Sequence, residues 1–170
     1  MKKFALVLAI VFAGFMTANA QVWIGGGLGA QVEKGHMGFD VNPEIGYTIN
    51  DQFQVAVGVE YSFDQRETLA GKDTHNSLAL RPYFRYVGGT IGHKFFLFAD
   101  LCGDFGLLDR KGTYAVTIQP GIAWQPCDNK KFTAAFRFAT IGYDHGFHGT
   151  DGFLLKGALG TSYIGIYYTL

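Results

Sequence analysis

Glu44 and Glu60 could do chemistry most directly, because two carboxylates in different environments can act as acid and base in glycoside hydrolysis. Three other groups raise the same question. His145-x-x-His148 has a spacing that could hold a metal, Ser77 lies beside His75 as a hydrolase pair would need, and Gly25-Gly26-Gly27 with Gly29 has the composition of a phosphate-cradling loop. The elements carrying these residues argue against each reading. The glycines lie inside a strand-like stretch with no helix behind them to bind phosphate. Zinc sites use three or four ligands, and no cysteine is near the histidine pair, so His36, His75, His145 and His148 read as polar residues of connecting loops. Ser62, Ser77 and Ser162 are scattered. No catalytic, cofactor or metal residue is assigned.

The remaining chemistry depends on where the chain goes. Lys2 and Lys3 are followed by an apolar run from Phe4 to Met16 and by Thr17-Ala18-Asn19-Ala20, the layout of a secretory signal peptide cleaved after Ala20. The domain is then 21–170, about 150 residues, one domain on the usual size scale. Net charge is zero and charged residues are 16%, fewer than the roughly 25% of a soluble domain. That balance makes no electrostatic case for nucleic acid. No later stretch is long and apolar enough for a membrane helix, so any membrane span must be made of strands.

Strand periodicity is plain from Phe39 onward. Phe39, Val41, Pro43, Ile45, Tyr47 and Ile49 fall on one face and Asp40, Asn42, Glu44, Gly46 and Thr48 on the other. Asn50-Asp51 makes a tight turn, and Phe53, Val55, Val57, Val59, Tyr61 and Phe63 repeat the pattern. Extended along the chain, this predicts eight strands at 21–33, 38–49, 53–64, 76–87, 94–105, 113–125, 132–143 and 153–170. Short links fall near 50–52, 88–93 and 126–131, longer polar ones near 64–76, 106–112 and 144–152, with 34–37 a short exception. Short turns at one end and longer loops at the other is the plan of a membrane barrel. Pro43, Pro82 and Pro120 each stand four residues before Tyr47, Tyr86 and Trp124, and Ile164 to Tyr168 has the same shape. Tyr47, Tyr86, Trp124 and Tyr168 are thereby expected to form an aromatic girdle at the periplasmic interface. Each mid-strand proline removes a ladder donor, which predicts a bulge or break there.

Which face points outward follows from the character of each. Phe39, Phe53, Phe63, Phe84, Phe95, Tyr114, Trp124, Phe136 and Phe138 share the apolar face, and that many rings would overfill the interior of an eight-stranded barrel. The other face carries small residues such as Gly58, Ala79, Ala115, Gly121 and Ala135 with charges of both signs. Glu44, Glu60, Asp100 and Arg81, Arg85, Arg137, together with Glu33 and Asp104, are expected to form an ion-pair network in a plugged lumen, since an unpaired buried charge costs several kcal/mol. Cys102 and Cys127 are expected to be unpaired: Cys102 lies about eight residues up its strand from the turn holding Cys127, some 25 Å at about 3.3 Å per residue, beyond the roughly 7 Å a disulfide spans.

Taken in order, Trp23-Ile-Gly-Gly-Gly, Pro43-Glu-Ile-Gly-Tyr47 with Asn50-Asp51, Arg81-Pro-Tyr-Phe-Arg-Tyr86, Pro120-Gly-Ile-Ala-Trp124 and Tyr163-Ile-Gly-Ile-Tyr-Tyr make the domain resemble the small outer-membrane β-barrel family of Bacteroidetes-type bacteria, akin to OmpX-like barrels. The resemblance implies an all-β, eight-stranded antiparallel up-and-down transmembrane β-barrel with roles in adhesion or surface protection and no catalytic residues to carry over. Its expected partners are outer-membrane lipid, lipopolysaccharide and the barrel-assembly machinery. Two alternatives stand beside it: a soluble periplasmic barrel binding an apolar ligand, and an outer-membrane lipid-modifying enzyme.

Overall fold

The computed structural model describes residues 21–33, 36–68, 71–109, 111–126, 131–149, 151–157 and 163–170. The signal peptide assigned to 1–20, its cleavage after Ala20, Cys127 and Ser162 lie outside the described residues, as do the side chains of Glu33 and His36.

Alternating large apolar and small or polar residues produce ten strands: β1 (Gln21–Glu33), β2 (His36–Thr48), β3 (Phe53–Thr68), β4 (Gly71–Ile91), β5 (Phe95–Leu108), β6 (Tyr114–Trp124), β7 (Phe132–Arg137), β8 (Ala139–His145), β9 (Asp151–Gly157) and β10 (Tyr163–Thr169). β1 to β6 pair antiparallel in sequence. β7 and β8 follow one another along β6, β9 pairs with β8, and β10 lies between β7 and β1, with Trp23 opposite Thr169. β7 with β8 therefore act as one interrupted stave, and β9 and β10 occupy the next stave position. The result is a closed eight-stranded antiparallel up-and-down β-barrel with no helix among the described residues.

Three sequence expectations change. The link expected at 64–76 is mostly strand: β3 and β4 stay paired from Phe53↔Tyr86 to Thr68↔Gly71. The residues there are mostly polar, so the sequence shows no apolar period. Strand 4 also extends past 87 to Ile91, leaving only a tight turn at 92–94. The seventh strand, expected to be unbroken, is divided at Phe138, and of the eighth the described parts are β9 and β10.

The prolines explain part of this. The β2–β3 ladder skips Asn42 and Pro43, passing from Val41↔Tyr61 to Glu44↔Gly58, and the β4–β5 ladder skips Arg81 and Pro82. Neither changes register there, so these are local breaks. At Pro120 the effect is larger: between Ile118↔Ile141 and Gly121↔Arg137, three steps on β6 face four on its partner, and Phe138 is the extra residue. A proline without an N–H leaves that length of partner unheld by the ladder, and one inserted residue makes a bulge. Phe138 keeps a backbone bond from its N–H to the Pro120 carbonyl at 3.1 Å.

The core is the barrel interior. Large apolar side chains on the outer wall are exposed, including Leu101, Ile118, Ile164 and Ile166, whereas Asn42, Asp100, Asp104 and Thr117 are almost wholly buried. This inverts the arrangement of a water-soluble domain, which buries apolar side chains and leaves charge outside.

Candidate functional site

Period two on β4 points Arg81, Tyr83 and Arg85 inward and Pro82, Phe84 and Tyr86 outward. On β5 it buries Asp100, Cys102 and Asp104. Arg85 stands opposite Asp100 in the ladder, and the guanidinium grips that carboxylate with two parallel bonds, Nε to Oδ1 at 2.7 Å and Nη2 to Oδ2 at 2.9 Å. Such a planar fork is the strongest geometry for an ion pair. Arg137 arrives from β7 and donates from Nε to the same Oδ2 at 2.8 Å. Asp100, at 0% exposure, thus joins staves that lie on both sides of β6.

Glu44 enters from β2. Its Oε1 accepts from Asn42 at 2.6 Å and its Oε2 from the Tyr83 hydroxyl at 2.6 Å, with Arg137 Nη1 3.7 Å from Oε1. A second group forms one level away, where Arg81 binds Asp104 through Nε and Glu60 through Nη2, the latter at 3.1 Å. The six sequence-assigned charges therefore occupy two connected sets: Glu44, Arg137, Asp100 and Arg85, and Glu60 with Arg81. Asp104 completes the second. Glu44 lies beside Arg137 and Glu60 is bound by Arg81.

The interior also holds rings that the small-residue description omits: Trp23, Tyr83, Phe98 and Tyr167 are all buried there. Arg85 lies over the Phe98 ring at 4.2 Å, and Arg137 over Tyr83 at 5.2 Å, which adds cation–π attraction to the ion pairs. The inward glycines make this possible. The Trp23 indole lies against Gly46, and the Phe98 ring against Gly121, where any Cβ would overlap the ring. Trp23 meets Tyr167 edge-on at 5.0 Å. Counting by two from Arg81 and Asp100 places Tyr83 and Phe98 inside.

At the opposite end the segment after β8 turns into the mouth. Phe147 packs on Ala79 and Ala115, and the buried carboxylate of Asp144 accepts from the His148 backbone N–H at 3.0 and 3.1 Å. His148 is half-buried rather than an exposed loop residue, because this bond and the Phe147 anchor fold the segment back. Burial holds its imidazole below the ordinary value. His145 stays exposed, 2.9 Å from Asp151, and His75 is exposed while Ser77 is buried. Cys102 is buried with a free thiol. Among the described residues, no group of three or more His, Cys, Asp or Glu is arranged to hold a metal.

Of the four girdle residues, Tyr86, Trp124 and Tyr168 are exposed on the outer wall and Tyr47 is half-buried. Phe53 lies tilted against Tyr86 at 5.4 Å and Phe95 stacks beside Trp124 at 6.4 Å, so the short-turn end carries further rings.

No family model and no curated protein matches this chain. Among solved structures it is similar to one described as "De novo design of transmembrane beta-barrels", with a TM-score of 0.48 and 12% identity over 88% of this chain and 95% of that one.

Proposed function

We propose that the protein is a non-enzymatic integral outer-membrane β-barrel, exported by the signal peptide at 1–20, with a plugged polar lumen, acting through its extracellular loops in adhesion or surface protection, or structurally. The observation carrying this reading is the inversion of the wall: Leu101, Val116, Ile118 and Ile166 are about half exposed while Asp100, Asp104, Arg85 and Arg137 are buried. Hydrocarbon solvates such an exterior at no cost, and a closed barrel satisfies its backbone internally. A soluble periplasmic barrel would instead expose this apolar area to water.

The plugged lumen is supported by the rings and ion pairs that cross it and by Phe147 at the mouth. Eight strands leave an interior just wide enough for side chains. The resemblance to OmpX-like barrels agrees with this reading, and outer-membrane lipid, lipopolysaccharide and the barrel-assembly machinery are the partners it entails. Cell fractionation followed by heat-modifiable gel migration tests it: the mature protein is expected in the outer-membrane fraction, running faster when unheated. Recovery in the soluble periplasm would refute it, and steady conductance in planar bilayers would refute the plug.

A further inference from the structure

The outer wall is not uniformly covered. Where β5, β6, β7 and β10 meet it carries a groove of about 240 Å³, lined outward by Phe95, Ile122, Trp124, Phe136 and Ile164. Its floor is Ala134. In the ladder Ala134 stands between Trp124 and Ile166, and the next row is Ile122, Phe136 and Ile164. A single methyl thus sits among large side chains at the level of Trp124. The groove has no charged lining residue.

Its turn-side end is bordered differently. Lys94 directly precedes Phe95 of the lining, and its ammonium donates to the Pro126 carbonyl at 3.1 Å. Lys131 precedes Phe132 on the far side of the same link, exposed, with its ammonium 6.0 Å from the Tyr168 ring centre. The Gln125 N–H bonds the Lys94 carbonyl and the Thr169 N–H bonds the Lys131 carbonyl, which ties both lysine backbones to the barrel wall. An apolar slot with cations at one end complements a molecule that is hydrocarbon along its length and anionic at its head.

We propose that this groove is a binding site for one glycerophospholipid of the leaflet on the short-turn side, its acyl chain over Ala134 and its phosphate between Lys94 and Lys131. The inference rests on the membrane reading above. A second copy of this chain fits less well, since a two-fold contact places the same patch against itself and would bring each lysine pair toward its own kind. Trp124 stands at the level where an indole prefers the interface between headgroup and chain, which matches the depth the phosphate would take.

The test uses the whole mature barrel folded in detergent and titrated with phosphatidylglycerol, with retained lipid counted by native mass spectrometry. Wild type is expected to keep one lipid at low lipid ratios. Ala134→Phe fills the slot and is expected to lower occupancy at least tenfold, as is Lys94→Gln with Lys131→Gln. Val59→Phe, an outward change on β3 away from the groove, is expected to leave it unchanged. Heat-modifiable migration establishes that each variant is folded, and Ala134→Leu replaces Ala134→Phe if the latter is not. Equal retention by wild type and the Ala134 variant, equal retention by the double lysine variant, or equal loss in Val59→Phe would overturn the proposal. Fractionation of cells tests the membrane reading by itself, so a barrel found in the outer membrane that keeps no lipid refutes this site alone.

Discussion

Arg81 reaches Glu60 at 3.1 Å although the residue opposite Arg81 in the β3–β4 ladder is Gly58. The pair is diagonal, and the space that a Cβ at Gly58 would take is held by the Asn42 and Glu44 side chains. Arg81 also holds Asp104, whose side chain is wholly buried, whereas that of Glu60 retains 12% exposure. The two carboxylates are therefore unequal partners.

Removing one member of a buried pair leaves the survivor uncompensated and typically costs about 3–5 kcal/mol. Arg81→Ala is accordingly expected to lower the urea midpoint of the refolded barrel by an amount in that range. In the same background Asp104→Asn should recover more of the loss than Glu60→Gln, because Asp104 has less access to water. Double-mutant cycles from urea unfolding measure both recoveries. Strict additivity in both would show that Arg81 couples to neither.

Much of this interior was legible from the period of two. The alternation at 39–49 and 53–63 places Glu44 and Glu60 inside, and Arg81 with Arg85 follows from their spacing. What escaped was set by other parts of the chain. The break at Phe138 depends on Pro120 in a neighbouring stave, so nothing in 132–143 announces it. Phe147 enters the mouth because Asp144 caps the His148 N–H, and a loop folding inward has no period to read. The fit of the interior rings is likewise set across strands: Phe98 and Trp23 lie on Gly121 and Gly46, while Tyr83 stands opposite Ala56 and Cys102. The stretch 64–76 reads as a loop because its residues are mostly polar and show no apolar period.

The orientation of the wall can be tested on β5 by two adjacent residues. Leu101 is 51% exposed between Phe84 and Ile118, while Cys102 next to it is buried. An arginine on the lipid face near the midplane costs about 2–4 kcal/mol. Leu101→Arg should therefore reduce insertion into vesicles, read as loss of the fast-migrating unheated band. Cys102→Ser, similar in volume and directed into the polar interior, should insert normally. Equal insertion of both would contradict the assignment of faces.

Packing of the Trp23 indole on Gly46 yields a second stability test. A methyl group at Gly46 would overlap the ring, and Trp23 is also held by Tyr167 at 5.0 Å, which limits its retreat. Overpacking of this kind usually costs about 1–3 kcal/mol. Gly46→Ala is expected to lower the urea midpoint accordingly, and Trp23→Leu in that background to recover part of the loss although it removes a large buried ring. If Gly46→Ala is neutral in urea unfolding, the indole does not occupy this seat.

His148 makes the mouth sensitive to pH. Burial is the main influence on its imidazole and lowers its affinity for a proton; Lys156 of β9 and Arg81 of β4 act in the same direction, while Asp104 of β5 and Asp144 of β8 oppose them. The folded segment therefore favours neutral histidine. With the folded value below an unfolded value of about 6.5, the unfolded segment binds more protons in the window beneath that value, so stability rises with pH there. The contribution of neutral His148 is complete above about pH 6.5 and is lost as pH falls through its lowered folded value. Hydrogen exchange of the His148 amide, which is bonded to Asp144, should accelerate on acidification beyond the intrinsic pH trend of exchange. His148→Gln cannot take up the proton and should remove that excess while leaving the Phe147 contact with Ala79 and Ala115 in place. Protection that is the same at pH 5 and pH 8 after correction for intrinsic exchange would show that His148 does not titrate against closure of the mouth.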